Sequence, residues 1–498
     1  MTRRGVDLLA RVAVGLVLLV VFFELADARR AFVRAVTTND APPGAPLRLP
    51  AADGAGLPPS PRVRVVLVDG AGPSTARAMP TWDALCARGL DLTIDTGFPT
   101  VSMPVQVALW SGRSQQATGV LFHATGKPLV PPLGVDAIPA QVPGSVVVAE
   151  AAAYIVQSLG FTETHPPATG KKLPEGWAGR WLGEAVAAFA GPSRLAFAHI
   201  LKIDIAGHRH GRRSPQWGAA TALADVELAW LVAVTPADAR WFVLADHDHL
   251  PGGGHGGEER SLRLVRACIA GPGIAPGRGG PIHITDLARA IADSVDVRLP
   301  ADASGRPLAA ALAAPVTDDD VLPRLPRDRI ALALFIVLVA AALTGWLTRG
   351  RLALQPWWFP ITLVALVGRA QAPTLSTPMI YSPKGLIMAE AFGVGLAVLA
   401  VALTFACRTR WLRGLAGQLL VPAGITLAVA LVTGALPLVL GEAVCPVVPR
   451  YTGWLSPLML MTGTAAGVAG LVVLASAALP HSDPSAPSGT RRSGRAAP

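Results

Sequence analysis

The hydrophobic pattern divides the chain into three parts. Residues 8–26 (LLARVAVGLVLLVVFFELA) are apolar almost without a break. At 1.5 Å per residue such a run spans a hydrocarbon core of about 30 Å. It reads as a transmembrane anchor within residues 1–36, or as a cleaved signal, since Ala26-Asp27-Ala28 also suits small-residue processing. Residues 37–61 are rich in Pro, Ala, Gly and Asp and read as a linker. Between 62 and 315 the pattern changes: short apolar runs at 63–68, 195–201 and 241–245 end in polar residues, with helical periodicity at 182–189 and 219–234. Strands alternating with helices predict an α/β domain, a mainly parallel sheet flanked by helices. In such sheets ligands sit beyond the carboxyl ends of the strands, so the polar residues after each run are the ones to weigh. A second linker is expected at 316–329. From 330 to 480 the chain becomes strongly apolar again, with about five helical spans expected near 330–347, 357–367, 386–407, 418–440 and 455–479. The Ser/Pro/Gly/Arg-rich tail, 481–498, is expected to be disordered.

Composition agrees with a chain partly in lipid: 51% of residues are hydrophobic and only 15% charged, against roughly 25% in soluble domains. The formal charge of +10 comes with arginines that flank the apolar runs. No basic stripe interleaved with aromatics points to nucleic acid. Arg349 and Arg351, then Arg408, Arg410 and Arg413, then Arg491, Arg492 and Arg495 fall on one side of a five-span bundle. Positive charge marks that side as cytoplasmic, which puts the α/β domain on the external face of the cell membrane. Arg29, Arg30 and Arg34, with Arg324, Arg327 and Arg329, oppose that orientation; the short loops between spans decide it. Cys86, Cys268, Cys407 and Cys445 form no CxxC pair, so a thiolate metal knuckle is not expected. A Cys86–Cys268 disulfide is open to an exported domain, but the sequence does not show that the two meet.

The chemistry lies in three segments that follow apolar strands. These are VVLVDG ending at Asp69-Gly70, ILKIDIAGH containing Asp204 and His208, and VLADH ending at Asp246-His247 with Gly253-Gly254-His255-Gly256-Gly257 behind it. Imidazole and carboxylate together are the usual ligands of catalytic zinc. Six of them suffice for two metals about 3.5–4 Å apart, which clamp the attacking and leaving oxygens of a phosphoryl group. A hydroxyl nucleophile is supplied by Phe98-Pro99-Thr100-Val101-Ser102-Met103-Pro104. Coordination to a metal activates such a hydroxyl at neutral pH.

These pieces, in this order, resemble the alkaline phosphatase superfamily over about residues 62–312. The likeness is greatest to the nucleotide pyrophosphatase/phosphodiesterase branch and to the GPI ethanolamine phosphate transferases. It rests on strand-Asp-Gly at Asp69, Pro-Thr-x-Ser-x-Pro at 99–104, Thr118-Gly119-Val120, Asp-x-x-x-His at Asp204–His208, Asp246-His247, the glycines around His255, and Ala270-Gly271-Pro272-Gly273-Ile274. The resemblance implies that Asp204, His208 and His255 hold one divalent metal. Asp69, Asp246 and His247 would hold the other, with Ser102 as nucleophile bridging to it. It implies zinc, with manganese also suited to a carboxylate-rich site. Two departures stand out. Pro104-Val105 replaces the Pro-Asn common in the diesterase branch, and Asp-His-Asp-His at 246–249 replaces Asp-His-Gly, adding Asp248 near the metals.

Thr100 and Lys202 are expected to contact substrate; on a strand, Lys202 and Asp204 would share a face. His210 and His249 are expected to be bystanders, and His123, His165, His199 and His283 to be structural or superficial. Arg369 and Glu390, near the external ends of adjacent spans, are expected to pair or to meet a lipid headgroup, or else to snorkel. The predicted activity is metal-dependent phosphoryl transfer, or phosphodiester or phosphomonoester hydrolysis, through a covalent phospho-serine. Its partners are membrane lipids and a phosphate-ester substrate. A membrane transporter or scaffold carrying a sensory or inactive phosphatase-like domain is the alternative; the complete ligand set opposes an inactive site.

Overall fold

The computed structural model describes residues 44–121, 128–129, 132–166 and 173–322, with scattered positions between 5 and 30 and Gly467, Leu471 and Leu474. The spans expected before residue 455, the pair Arg369–Glu390, the tail and His123 lie outside the described residues. The described positions between 5 and 30 are helical, as are the three near the C-terminus. A Cβ on Gly467 would come within 3.1 Å of the Phe22 ring, so these two residues pack closely.

Eight strands form one sheet: β1 (Arg62–Val68), β2 (Leu90–Asp95), β3 (Val146–Ala149), β4 (Glu163–His165), β5 (Leu195–Ile200), β6 (Ala239–Leu244), β7 (Leu264–Ala270) and β8 (Gly277–His283), in the order β4-β3-β5-β1-β6-β7-β2-β8. All neighbours are parallel except β7, which runs against both β6 and β2. The central strands read as unbroken apolar runs because helices cover both faces, and every residue of β5 and β6 is buried. Arg64, inside β1, is buried too. Its guanidinium donates to the carbonyls of Phe189, Gly191 and Ser193, at and beyond the end of the helix Trp177–Ala190. There the helix dipole favours a cation.

The helix Ser102–Ser111 is buried along its whole length, as the apolar stretch after the hydroxyl turn suggested, and stops at Gly112 in the left-handed region. The helix Pro215–Val234 begins on Ser214, whose hydroxyl accepts from the Trp217 amide, with proline in its first turn. Among the described helices it is the one long and apolar enough to cross a membrane. It is nevertheless a domain helix, burying Trp217, Ala224, Leu228 and Leu231. Cys86 and Cys268 are disulfide-bonded, Cα to Cα 5.1 Å, tying the helix Pro80–Ala87 to β7.

The domain runs further at both ends than composition suggested. Residues 44–61, expected to be linker, dock through their backbone: Gly44 N–H donates to Gln116, Ser60 N–H to Ser294, and Arg306 to the Pro50 carbonyl. Beyond residue 315, Val316 is buried and Asp318 pairs with Arg263 at 2.6 Å. Backbone docking of this kind leaves no hydrophobic period to read.

Candidate active site

Three carboxylates reach one place because the strands that carry them are neighbours. In the parallel trio β5-β1-β6, Val68 lies beside Ile200 and Leu67 beside Leu244. Asp69 follows β1 at once, Asp246 follows β6 by two residues, and Asp204 sits in the first turn of the helix Lys202–His210 after β5. Gly70 makes the turn possible. Its φ is +74°, its amide donates to Asp246 Oδ1 at 3.1 Å, and a Cβ there would press on the Asp204 backbone and the His249 ring at 3.1 Å.

The nucleophile loop is fixed from two sides. Asp95, at the end of β2, pairs with buried Arg263 and accepts from the Gly97 amide at 2.9 Å. The Gln115 and Gln116 amides donate to the carbonyls of Thr96 and Phe98, both at 2.6 Å. Thr100 Oγ1 accepts from the Gly256 amide at 2.9 Å and donates to the Gly257 carbonyl at 2.8 Å. Its carbonyl faces His255 Nδ1 at 2.8 Å. Thr100, expected on substrate, thus spends its hydroxyl on the histidine loop, a correction to that expectation. Replacing it by valine keeps the shape but strands two buried backbone groups, at about 1–3 kcal/mol each. A thermal melt should fall by several degrees, and chelator competition should show weaker metal retention, by about 10–100-fold.

Ser102 opens its helix. Its Oγ lies 3.2 Å from His247 Nε2 and 3.4 Å from Asp69 Oδ1. His247 Nε2 is in turn 3.4 Å from Asp69 Oδ1 and 3.6 Å from Asp246 Oδ2. On the other side, Asp204 Oδ1 lies 3.3 Å from His208 Nε2 and 3.3 Å from His255 Nε2, and those two nitrogens are 3.0 Å apart. Ligands 2.0–2.1 Å from a tetrahedral zinc are separated by about 3.3 Å, so both sets have the spacing of donors around one small cation. Asp246 Oδ2 and His247 Nδ1 are buried without a hydrogen-bond partner, and a buried carboxylate oxygen left this way needs a compensating charge. The residues fit two divalent ions. All six expected ligands and Ser102 are brought together.

Two histidines that the sequence passed over belong to the site. His199 Nε2 meets Asp69 Oδ2 at 2.8 Å, both side chains fully buried. Burial drives its pKa down to about 3, despite Asp204, so the ring is neutral and shares one hydrogen bond with Asp69 that fixes the orientation of that carboxyl. His249, expected as a bystander, places Nε2 2.9 Å from Asp204 Oδ1. The Gly254 amide donates to its Nδ1 at 3.0 Å, which leaves the ring proton on Nε2, facing the carboxylate. His255 is the reverse: the Thr100 carbonyl can only accept, so Nδ1 carries the proton and Nε2 keeps its lone pair for a metal. His255 can therefore offer Nε2 to a metal, with His208 Nε2 3.0 Å from it, while His249 turns a ring proton toward Asp204. The Asp-His-Asp-His alternation at 246–249 was the available signal.

Lys202 is a second correction. It starts a helix instead of lying on a strand, and its ammonium pairs with Glu150 at 2.8 Å and with Glu227, over the Trp181 ring. Glu150 also accepts from the Leu201 and Lys202 amides at 2.8 and 3.0 Å, so this cluster anchors the helix that carries Asp204 and His208. Asp248 meets a cation of the chain itself: Arg212 holds it at 2.8 Å. His283 accepts at the start of the helix Ile284–Ser294, His165 lies 3.7 Å from Glu184, and His210 is exposed.

The electrostatics divide the two sets. Burial, then the neighbouring Asp246 and Asp204, hold Asp69 well above the usual carboxylate range. Burial pushes Asp246 up to about 7. Burial also opposes ionisation of Asp204, but hydrogen bonds with His208, His249 and His255 outweigh it and hold that carboxyl well below the ordinary value. Burial keeps His255 down at about 3 and His247 well below its usual range, so both rings are neutral and fit to coordinate.

No family model and no curated protein matches the chain. Among solved structures it is similar to a sulfatase-like protein of Bacteroides thetaiotaomicron (16% identity, 52% of this chain and 75% of that one, TM-score 0.39). It is also similar to a protein in the alkaline phosphatase superfamily from Vibrio parahaemolyticus (13%, 58% and 79%, TM-score 0.36). A third is human ectonucleotide pyrophosphatase/phosphodiesterase 5 (11%, 51% and 99%, TM-score 0.38). At that level of similarity, the chain's own side chains carry the functional conclusion.

Proposed function

We propose that this protein is a membrane-anchored, two-metal phosphotransferase or phosphohydrolase that works through a phospho-serine at Ser102. The observation that carries the reading is the convergence of Ser102 Oγ with two complete ligand sets at the ends of three adjacent parallel strands. Asp69, Asp246 and His247 would hold one divalent ion, and Asp204, His208 and His255 the other. The mixed imidazole and carboxylate donors favour zinc and admit manganese. Such ions lower the pKa of a bound hydroxyl and offset charge on phosphoryl oxygens.

Ser102 Oγ attacks phosphorus in line; the Oγ–P bond forms as the bond to the leaving ester oxygen breaks. The first amides of the helix Ser102–Ser111 have no intrahelical acceptor, and their dipoles favour the anion. The phosphoryl or phosphodiester group then passes to water or to an alcohol, which frees Ser102. Gln106 stands four residues after Ser102, where a sulfatase motif of the form Cys/Ser-x-Pro-x-Arg requires arginine, so a phosphate ester is favoured over a sulfate.

The Cys86–Cys268 disulfide suits an oxidising compartment and supports the external face of the membrane for this domain. The apolar segments make a lipid-linked or envelope substrate the natural choice, in the manner of a phosphoethanolamine transferase. The purified full chain should release p-nitrophenol from p-nitrophenyl phosphate or its bis-ester. A chelator should abolish the activity and zinc restore it. Transfer from labelled phosphatidylethanolamine to an alcohol would select the transferase; release to water alone would select the hydrolase. Turnover of p-nitrophenyl sulfate only would overturn the phosphoryl reading.

A further inference from the structure

The helix Pro215–Val234 has two faces of different character. Inward, it buries Trp217, Leu228 and Leu231, and its two acids also turn to the domain: Asp225 accepts from the Thr81 amide at 2.9 Å and Glu227 pairs with Lys202. Outward, Ala219, Ala222, Leu223, Val226, Trp230 and Ala233 are exposed at helical spacing, with Leu223, Val226 and Trp230 at 51%, 52% and 58%. No charged side chain interrupts that stripe. A contiguous apolar face of this kind on a folded domain marks an interaction surface.

We infer that this face rests on the bilayer that anchors the chain. Three observations choose lipid as its occupant. First, the domain is tethered close to a membrane on the reading proposed above, on which this inference rests. Only residues 323–329 separate Leu322, the last described residue of the α/β domain, from the apolar sequence that begins at 330. Seven extended residues reach at most about 25 Å, so a domain face meets the headgroup layer. Second, exposed Arg213 lines a groove with Gly218 and Ala222 at the start of the same helix, next to Arg212, which pairs with Asp248, and this sets a cation beside the apolar stripe. Apolar residues edged by basic ones are the composition of interfacial helices that sink about 5–10 Å into the headgroup boundary. Third, Trp230, among the most exposed of the stripe, is the residue type enriched at that depth.

Seating the helix there has a consequence for the site. Trp217, in its first turn, lies 5.3 Å ring to ring from His249, so the metal centre stands beside the end of the lipid-facing element.

The test places a nitroxide spin label at Val226, and separately at Leu223, in the full chain reconstituted in phospholipid bilayers, with Cys407 and Cys445 replaced by serine. Glu163, exposed on β4, serves as the reference position. Accessibility to oxygen, which concentrates in lipid, is compared with accessibility to a water-soluble nickel chelate. The inference predicts that both stripe positions collide with oxygen several-fold more than with nickel, and that Glu163 shows the opposite. Nickel accessibility equal to that at Glu163 overturns it, as does protection from both reagents, which would mean that protein covers the face. Because the readout needs no turnover, a chain that stays in the bilayer with a wet stripe contradicts this inference alone. A chain that washes out of the bilayer at alkaline pH contradicts the membrane reading itself.

Discussion

Replacing Ser102 with alanine lowers turnover of a phosphate ester by a factor on the order of 10⁴ or more, with fold and metal content intact. The hydroxyl is the one group in the cluster placed to form a bond to phosphorus, and no neighbour substitutes for it. Thr100, the other hydroxyl of the same turn, is committed to the Gly256 amide and the Gly257 carbonyl. Ser102 Oγ sits 3.2 Å from His247 Nε2 and 3.4 Å from Asp69 Oδ1, which makes for weak hydrogen bonds, so a thermal melt should scarcely move. Threonine at the same position keeps a hydroxyl and should retain measurable activity. The comparison is a steady-state assay with a melt and a metal analysis on the same preparations. A Ser102→Ala protein that turns over at the wild-type rate would place the nucleophile elsewhere.

Asp204→Ala is the second large effect. Asp204 Oδ1 is the point on which His208, His249 and His255 converge, within 2.9–3.3 Å. Its loss leaves three imidazoles without their shared partner and one metal position without its only carboxylate. One of two metals should be lost per chain, and turnover should fall about as far as in the Ser102 variant. In chelator-treated protein the sign of the pH effect follows from the lowered pKa. The carboxylate's contribution to stability is present above the ordinary carboxylate value and is lost as pH falls through the lower folded value. Wild type should therefore lose more stability on acidification than the alanine variant, as read from denaturant midpoints at a series of pH values.

The three carboxylates were legible because Asp69, Asp204 and Asp246 each come shortly after an apolar run, and such runs end at one edge of a parallel sheet. Val65-Val66-Leu67-Val68-Asp69 and Val243-Leu244-Ala245-Asp246 announce both their strands and their functional residues. The rest depended on where protons sit. His249 differs from His255 only in that one ring faces a backbone amide and the other a backbone carbonyl, a difference that sequence spacing does not encode. Lys202 misled because Ile200-Leu201-Lys202-Ile203 continues the apolar pattern of β5, while Glu150, 52 residues away, caps a helix at that point. His199 was passed over because a histidine inside a strand looks like core until its neighbour Asp69 is seen. The stripe on Pro215–Val234 was hidden by its own helical period, since a helix apolar on both faces looks in sequence like one that is buried.

The central claim is that Asp69, Asp246 and His247, and Asp204, His208 and His255, each hold a divalent ion. The most direct measurement is metal content by mass spectrometry on the purified full chain, alongside Asp204→Ala and Asp246→Ala. The account predicts about two ions per chain in wild type and about one in each variant. No bound metal in wild type, or a count that neither substitution changes, would contradict it.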